Sequence, residues 1–123
     1  MIKKLINVNN NLPKKIENLK KKGKKIVLCH GAFDLVHPGH IEHFSEAKML
    51  GDILIVSITA DKFIKKSINN PFFNQDARHN FLSKIKLIDY VVITNDETAI
   101  PAINVFKPNF YCKGVEYLKK DKI

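Results

Sequence analysis

Ile26-Val27-Leu28-Cys29-His30-Gly31-Ala32-Phe33-Asp34-Leu35-Val36-His37-Pro38-Gly39-His40-Ile41 is the stretch on which the fold turns. The apolar run Ile26 to Cys29 reads as a buried strand. Pro38 suits the first turn of a helix, where its missing N–H costs nothing, and the amphipathic segment Ile41 to Leu50 continues that helix. Strand, glycine turn and helix start together aim backbone N–H groups and the positive helix end at one spot, where a phosphate binds well. His37 and His40 sit at that spot, and both imidazoles can donate to phosphate oxygens. Such a cradle points to chemistry on a phosphate as well as to its binding. Gly31 reads as leaving the strand in a conformation closed to side chains, and Gly39 as making room for phosphates.

Outward from this stretch, strands and helices alternate. A helix is expected near 13–22, a strand near 25–30, and a helix near 38–50 that Gly51 closes. Ile53-Leu54-Ile55-Val56 opens a strand over 53–59, and its unbroken apolar run suits the inside of a parallel sheet. A helical turn follows Ala60, and residues 67–73 form a loop. Asn74 caps a helix reaching about Ile88, with Phe81, Leu82, Ile85 and Ile88 inward. Tyr90 to Ile93 is a third strand, 97–106 a helix and Phe110 to Cys112 a fourth strand. The pattern predicts an α/β fold: a Rossmann-like doubly wound parallel sheet in a three-layer αβα arrangement, with right-handed crossovers and strand order 3-2-1-4. Such sheets bind ligands beyond the carboxyl ends of their strands. Gly31–His40 and Lys113–Tyr117 both fall there. Residues 1–24 read as a basic helical segment and 25–123 as the domain proper.

With 45% apolar residues, 123 residues suit one small core. No apolar run is long enough to span a membrane, and the start lacks the apolar region of a signal peptide. Two cysteines and no such signal imply a reducing, cytoplasmic setting. Cys29 and Cys112 are expected as buried, reduced thiols on neighbouring strands. The net charge of +9 is concentrated in residues 1–25, which carry nine lysines and one glutamate. These lysines read as the solvated face of a helix, so neither a nucleic acid nor a membrane is the expected partner. An uncovered sheet edge and exposed apolar faces suggest a homodimer. His37, His40 and His43 are spaced three apart, yet no fourth ligand stands out, and no protein-held metal is expected. His43 reads as a plain helix residue, and His30 and His79 receive no role. Asp34 caps the turn or contacts magnesium; Asp61 binds substrate or caps the turn that follows it. Lys62, Lys65 and Lys66 clamp phosphates or remain solvated. Arg78 bonds a phosphate or pairs with a carboxylate.

The decapeptide Gly31–His40 resembles the signature of the nucleotidyltransferase superfamily that carries a His-x-Gly-His motif, in its cytidylyltransferase-like branch. That branch includes glycerol-3-phosphate cytidylyltransferases and the adenylyltransferase domain that makes ADP-heptose. Ala47-Lys48-Met49-Leu50-Gly51-Asp52, Ser57-Ile58-Thr59-Ala60-Asp61, Arg78 and Lys113-Gly114-Val115-Glu116-Tyr117 fall in the family's order, so the likeness runs from Lys25 to Tyr117.

The resemblance implies transfer of a nucleotidyl group from ATP or CTP to a sugar phosphate or polyol phosphate, for surface-glycan or lipid precursors, with release of pyrophosphate. It assigns His37 and His40 to catalysis. Gly31, Ala32, Phe33, Gly39, Lys66, Arg78, Lys113 and Gly114 would bind the nucleotide's phosphates, and Asp34, Asp61 and Tyr117 the substrate. Mg2+ would arrive with the triphosphate. Family members carry basic and glycine residues where this chain has Asn69 and Asn70. They also continue past the Lys-Gly-x-Asp-Tyr segment to a strand and an Ile-Ser-Thr-Thr helix start, which 1–123 does not contain. The alternative is a nucleotide-binding piece that is non-catalytic or depends on a partner.

Overall fold

The computed structural model describes residues 4–6, 11–64 and 71–113. In chain order these form β1 (Leu5–Ile6), α1 (Leu12–Lys21), β2 (Ile26–Gly31), α2 (Pro38–Met49), β3 (Ile53–Thr59), a 3-10 turn at Asp61–Phe63, α3 (Gln75–Ser83), β4 (Tyr90–Thr94), α4 (Ile100–Phe106) and β5 (Phe110–Lys113). One sheet holds them in the order β1-β4-β3-β2-β5. The pairs β2–β3, β2–β5 and β3–β4 are parallel, which is the order expected for the four alternating strands.

Alternate strand residues point to opposite faces, and each face has its own core. Val27, Cys29, Leu54, Val56 and Ile58 meet Phe44 and Ala47 of α2 and Leu82 of α3. Ile26, Leu28, Ile55 and Val92 meet Leu12 and Ile16 of α1 and Ala102 and Phe106 of α4. The three layers are therefore α2/α3, sheet and α1/α4. Because Leu12 and Ile16 close the second core, the division at 24/25 marks no break in packing. The lysines of α1 stay outside, as expected of a solvated face.

Four sequence expectations change. Strand β1 has only two residues and no periodicity to announce it. It pairs antiparallel with β4, Leu5 opposite Thr94, and Lys4 Nζ reaches Asp96 at 2.7 Å. It thus covers the β4 edge, one of the edges behind the homodimer expectation. Helix α3 does start at the Asn74 cap, whose Oδ1 accepts from Ala77 N–H at 2.8 Å. It ends at Ser83, however, and Ile85 and Ile88 belong to successive turns. Arg78 and Leu82, four residues apart, take its inward row, and Phe81 is 54% exposed. Helix α4 starts only at Ile100, because Asp96 Oδ1 accepts from both the N–H and the hydroxyl of Thr98 at 2.9 Å and holds a turn there. Finally, Cys29 is buried but Cys112 only half so, since among the described residues β5 has a neighbour on one side alone.

Candidate active site

The carboxyl end of β2 leads into a helix start built from two imidazoles. His37 is the N-cap of α2, in extended backbone (φ −134°, ψ 175°). Its Nδ1 accepts from Gly39 N–H at 3.0 Å, and its own backbone N–H donates to His40 Nδ1 at 3.1 Å. This is a reciprocal capping box with histidines in place of the usual Ser and Glu. Backbone donors occupy both Nδ1 atoms, so each neutral ring carries its proton on Nε2. The ring centroids are 4.0 Å apart. His40 is buried, its ring edge-on to Phe33 at 5.5 Å, and His37 is exposed. The Gly39 N–H at the helix start is thus held by His37, and the donors set by this geometry are Nε2–H groups.

The glycines work differently from the sequence expectation. Gly31 does not have positive φ; Phe33 does, at 48°. A Cβ on Gly31 would meet two Phe33 ring carbons at 3.0 Å. Gly31 therefore gives space to the Phe33 ring, and Phe33 carries the left-handed turn, at a cost of about 1–2 kcal/mol for a side-chain-bearing residue. Burial of that ring, at 2% exposure, offsets the strain. A Cβ on Gly39 would lie 2.7 Å from His37 Cε1, so glycine lets the imidazole fold back over the helix start.

Arg78 is a clamp. Its side chain is 1% exposed. Nε donates to Phe73 O at 3.1 Å, and NH1 to Ala32 O at 2.9 Å and Thr59 O at 2.7 Å. NH2 meets Asp61 Oδ1 at 2.7 Å. The guanidinium, read from the sequence as bonding a phosphate or pairing with a carboxylate, pairs here with a carboxylate and three carbonyls, and ties together the loops after β2 and β3 and the one before α3. Asp61, one of the two expected substrate or capping residues, is thus Arg78's partner, and its N–H donates to Gln75 Oε1 at 3.0 Å. Asp34 accepts from the backbone N–H of Phe72 and of Phe73, which is its turn-holding reading carried out at long range. Lys113 ends β5 in register with His30, at the same sheet edge as the cradle. Lys65, Lys66, Gly114 and Tyr117 lie outside the described residues. Among the described residues, no group of three or more His, Cys, Asp or Glu could hold a metal ion.

Two histidines without an expected role have definite surroundings. His30 Nδ1 lies 3.0 Å from Ser57 Oγ and its Nε2 3.3 Å from Thr59 Oγ1, and Ser57 and Thr94 share a further hydroxyl bond. Burial pushes the His30 pKa down to about 4, with Asp96 opposing. The available signal was a polar residue at the carboxyl end of three adjacent strands. His79 Nε2–H donates to Val91 O at 3.2 Å. His43, read as a plain helix residue, lies in α2 and is buried, with Nε2 3.9 Å from Cys29 Sγ. Beside the cradle, a cavity of roughly 250 Å3 is lined by Phe33, Asp34, Leu35, Phe73, Arg78 and Phe81.

A parallel sheet with an imidazole-bearing helix start at its carboxyl edge is the arrangement of a nucleotidyltransferase domain. The chain belongs to the cytidylyltransferase-like family, which it matches over residues 28–122. It is similar to the bifunctional protein HldE of Aliarcobacter butzleri strain RM4018, 40% identical over 114 residues that make up 91% of this chain and 23% of that protein. It is 38% identical to the bifunctional protein HldE of Helicobacter pylori strain J99, over 91% of this chain and 25% of that one. The chain thus spans about a quarter of the length of these relatives. Among solved structures it resembles the lipopolysaccharide core biosynthesis protein from Thermoplasma volcanium GSS1, with a TM-score of 0.64 and 28% identity over 72% of this chain and 73% of that one. No helix among the described residues is long and apolar enough to cross a membrane.

Proposed function

We propose that this domain transfers a nucleotidyl group from ATP or CTP to a sugar phosphate that feeds surface-glycan synthesis. A phosphate oxygen of the acceptor attacks the α-phosphorus in line, and pyrophosphate leaves. Such a reaction asks the protein to position two anions and to stabilise charge on the α-phosphoryl group. The observation that carries the reading is the paired imidazoles. Their Nδ1 atoms are fixed by backbone N–H groups at 3.0 and 3.1 Å, which commits Nε2–H as the donor on each ring. Donors preorganised in this way stabilise developing charge without reorganising during the reaction. The positive end of α2 adds to them.

Arg78 supports the chemistry as a positioning residue, since it holds the Ala32 carbonyl and so the turn that carries the cradle. Lys113 and Lys66 supply cationic charge to the phosphates, and Gly114 and Tyr117 complete the frame. Magnesium enters with the triphosphate as part of the substrate. Asp34 accepts from two backbone N–H groups and Asp61 pairs with Arg78, so neither carboxylate is set aside for the ion, which would be held by the triphosphate and supply charge neutralisation there. The likeness to a lipopolysaccharide core biosynthesis protein supports a sugar phosphate over a polyol phosphate as acceptor.

The test is pyrophosphate release by the protein carrying this domain, screened over ATP and CTP against phosphorylated sugars and polyols. One nucleotide–sugar phosphate pair should turn over and lose its rate when His37 or His40 is replaced. Silence across the whole panel, with the protein folded, would overturn the reading.

A further inference from the structure

Cys29 of β2 and Cys112 of β5 stand directly opposite each other in parallel register. Neighbouring strands run about 4.8 Å apart, and paired residues project from the same face of the sheet. That spacing lies inside the Cα separation of about 4.4–6.8 Å across which a disulfide closes. Both cysteines are free thiols in the structure. They differ in surroundings: Cys29 is wholly buried in the α2/α3-side core, and Cys112 is half-buried at its margin. The facing Cys112 sulfur and burial push the Cys29 pKa up, and the facing Cys29 thiol holds Cys112 down at about 7. A thiolate is the nucleophilic form of cysteine, so the half-buried Cys112 is the reactive member and the fully buried Cys29 is placed to resolve it. His43 Nε2 lies 3.9 Å from Cys29 Sγ.

We propose that Cys29 and Cys112 are a modification site, a dithiol that hydroperoxides convert to an intramolecular disulfide directly beneath the phosphate cradle. In the first step the Cys112 sulfur attacks the terminal peroxide oxygen. The S–O bond forms, the O–O bond breaks, and the departing alkoxide or hydroxide leaves as an alcohol or water. In the second step the Cys29 sulfur attacks the Cys112 sulfenic sulfur. The S–S bond forms, the S–O bond breaks, and the released hydroxide takes the Cys29 proton as water. Two thiols and one hydroperoxide thus give one disulfide, one alcohol or water, and one water, with two electrons passing from sulfur to oxygen. Cys29 is two residues from Gly31, and Cys112 adjoins Lys113, so the new bond would join the two strands that deliver the site's loops. This site is independent of the proposed transfer reaction, and its readout is a mass.

The protein carrying this domain is titrated with hydrogen peroxide at pH 7, alkylated, and mapped by peptide mass spectrometry. The Cys29 and Cys112 peptides should appear disulfide-linked, with a loss of two hydrogens, at peroxide doses that leave free cysteine largely reduced. In Cys29→Ser the sulfenic acid should persist on Cys112 and be trapped by dimedone. Cys112→Ser should oxidise no faster than free cysteine. The wild-type map decides even if a variant fails to fold. Two alkylated thiols after treatment, or a disulfide that joins either cysteine to a different partner, would overturn the proposal.

Discussion

Replacing Arg78 by methionine keeps the length and apolar stem of the side chain and removes its charge. Three carbonyls, those of Ala32, Thr59 and Phe73, lose donors at 2.7–3.1 Å, and Asp61 loses its partner. Hydrogen bonds from a charged donor are worth about 1.5–3 kcal/mol each, but such terms are not additive and part of each is returned by water reaching the opened site. The Asp61 side chain is 37% exposed, so its half of the ion pair contributes only about 1 kcal/mol. Several such bonds lost together, after that discount, come to about 3–5 kcal/mol, and we expect that range for R78M. Against a total stability of about 5–15 kcal/mol, this leaves a domain that still folds or barely does. For about 120 residues, 1 kcal/mol moves the melting temperature by about 4 °C, so Tm should fall by about 12–20 °C. Asp61→Asn, which keeps the buried guanidinium and its three carbonyls, should lose only about 4 °C. Thermal unfolding of both variants checks this. An R78M loss of less than about 4 °C, or an equal loss in D61N, would refute the clamp.

His40→Ala should lower turnover by about 10²-fold or more while changing nucleotide affinity less, because the contact tightens in the transition state; an unchanged kcat removes His40 from the mechanism. Gly39→Ala places a methyl 2.7 Å from His37 Cε1 and should weaken nucleotide binding about tenfold by turning that ring. Its stability should stay within about 1 kcal/mol, since the lost cap is offset by helix propensity, so calorimetric binding alongside thermal melts separates the two effects. His30 is held near pKa 4 when folded, against 6.5 for an unperturbed histidine. Between those values the unfolded chain binds the extra proton, so stability should fall as pH drops from about 6.5 to 4 and level off below. His30→Gln should flatten that part of the urea-unfolding profile, and an unchanged slope would count against the buried neutral ring.

The sheet order and the cradle were legible because each rested on a strong local signal. The apolar run Ile53–Val56 and the turn from Gly31 to His40 leave few alternatives for a short chain. What the sequence hid depends on distance. Whether Arg78 faces a phosphate or three carbonyls is decided by loops that residues 32, 59 and 73 bring together. Phe33 in left-handed backbone breaks the usual glycine preference, and only the buried ring explains it. Phe81 looked inward by spacing, yet Arg78 takes that inward row, so a charged residue displaced an aromatic one from the core. The polar ends of β2, β3 and β4 are visible singly, but their joining around His30 follows from strand order.

The short strand β1 has a consequence for the order of events in folding. Its partners lie at the far end of the chain: Lys4 reaches Asp96 across 92 residues of sequence, whereas β2 and β3 are linked through a single intervening helix. Closing so long a loop carries an entropic penalty that local pairings avoid. During synthesis the Leu5–Ile6 segment emerges early and waits, without its neighbour, until Tyr90–Thr94 has followed. Among the described strands, β1 therefore docks later than the β2–β3 pair, whose connecting loop is far shorter. In the finished protein, being two residues long and outermost, it is also the first to exchange its amide protons.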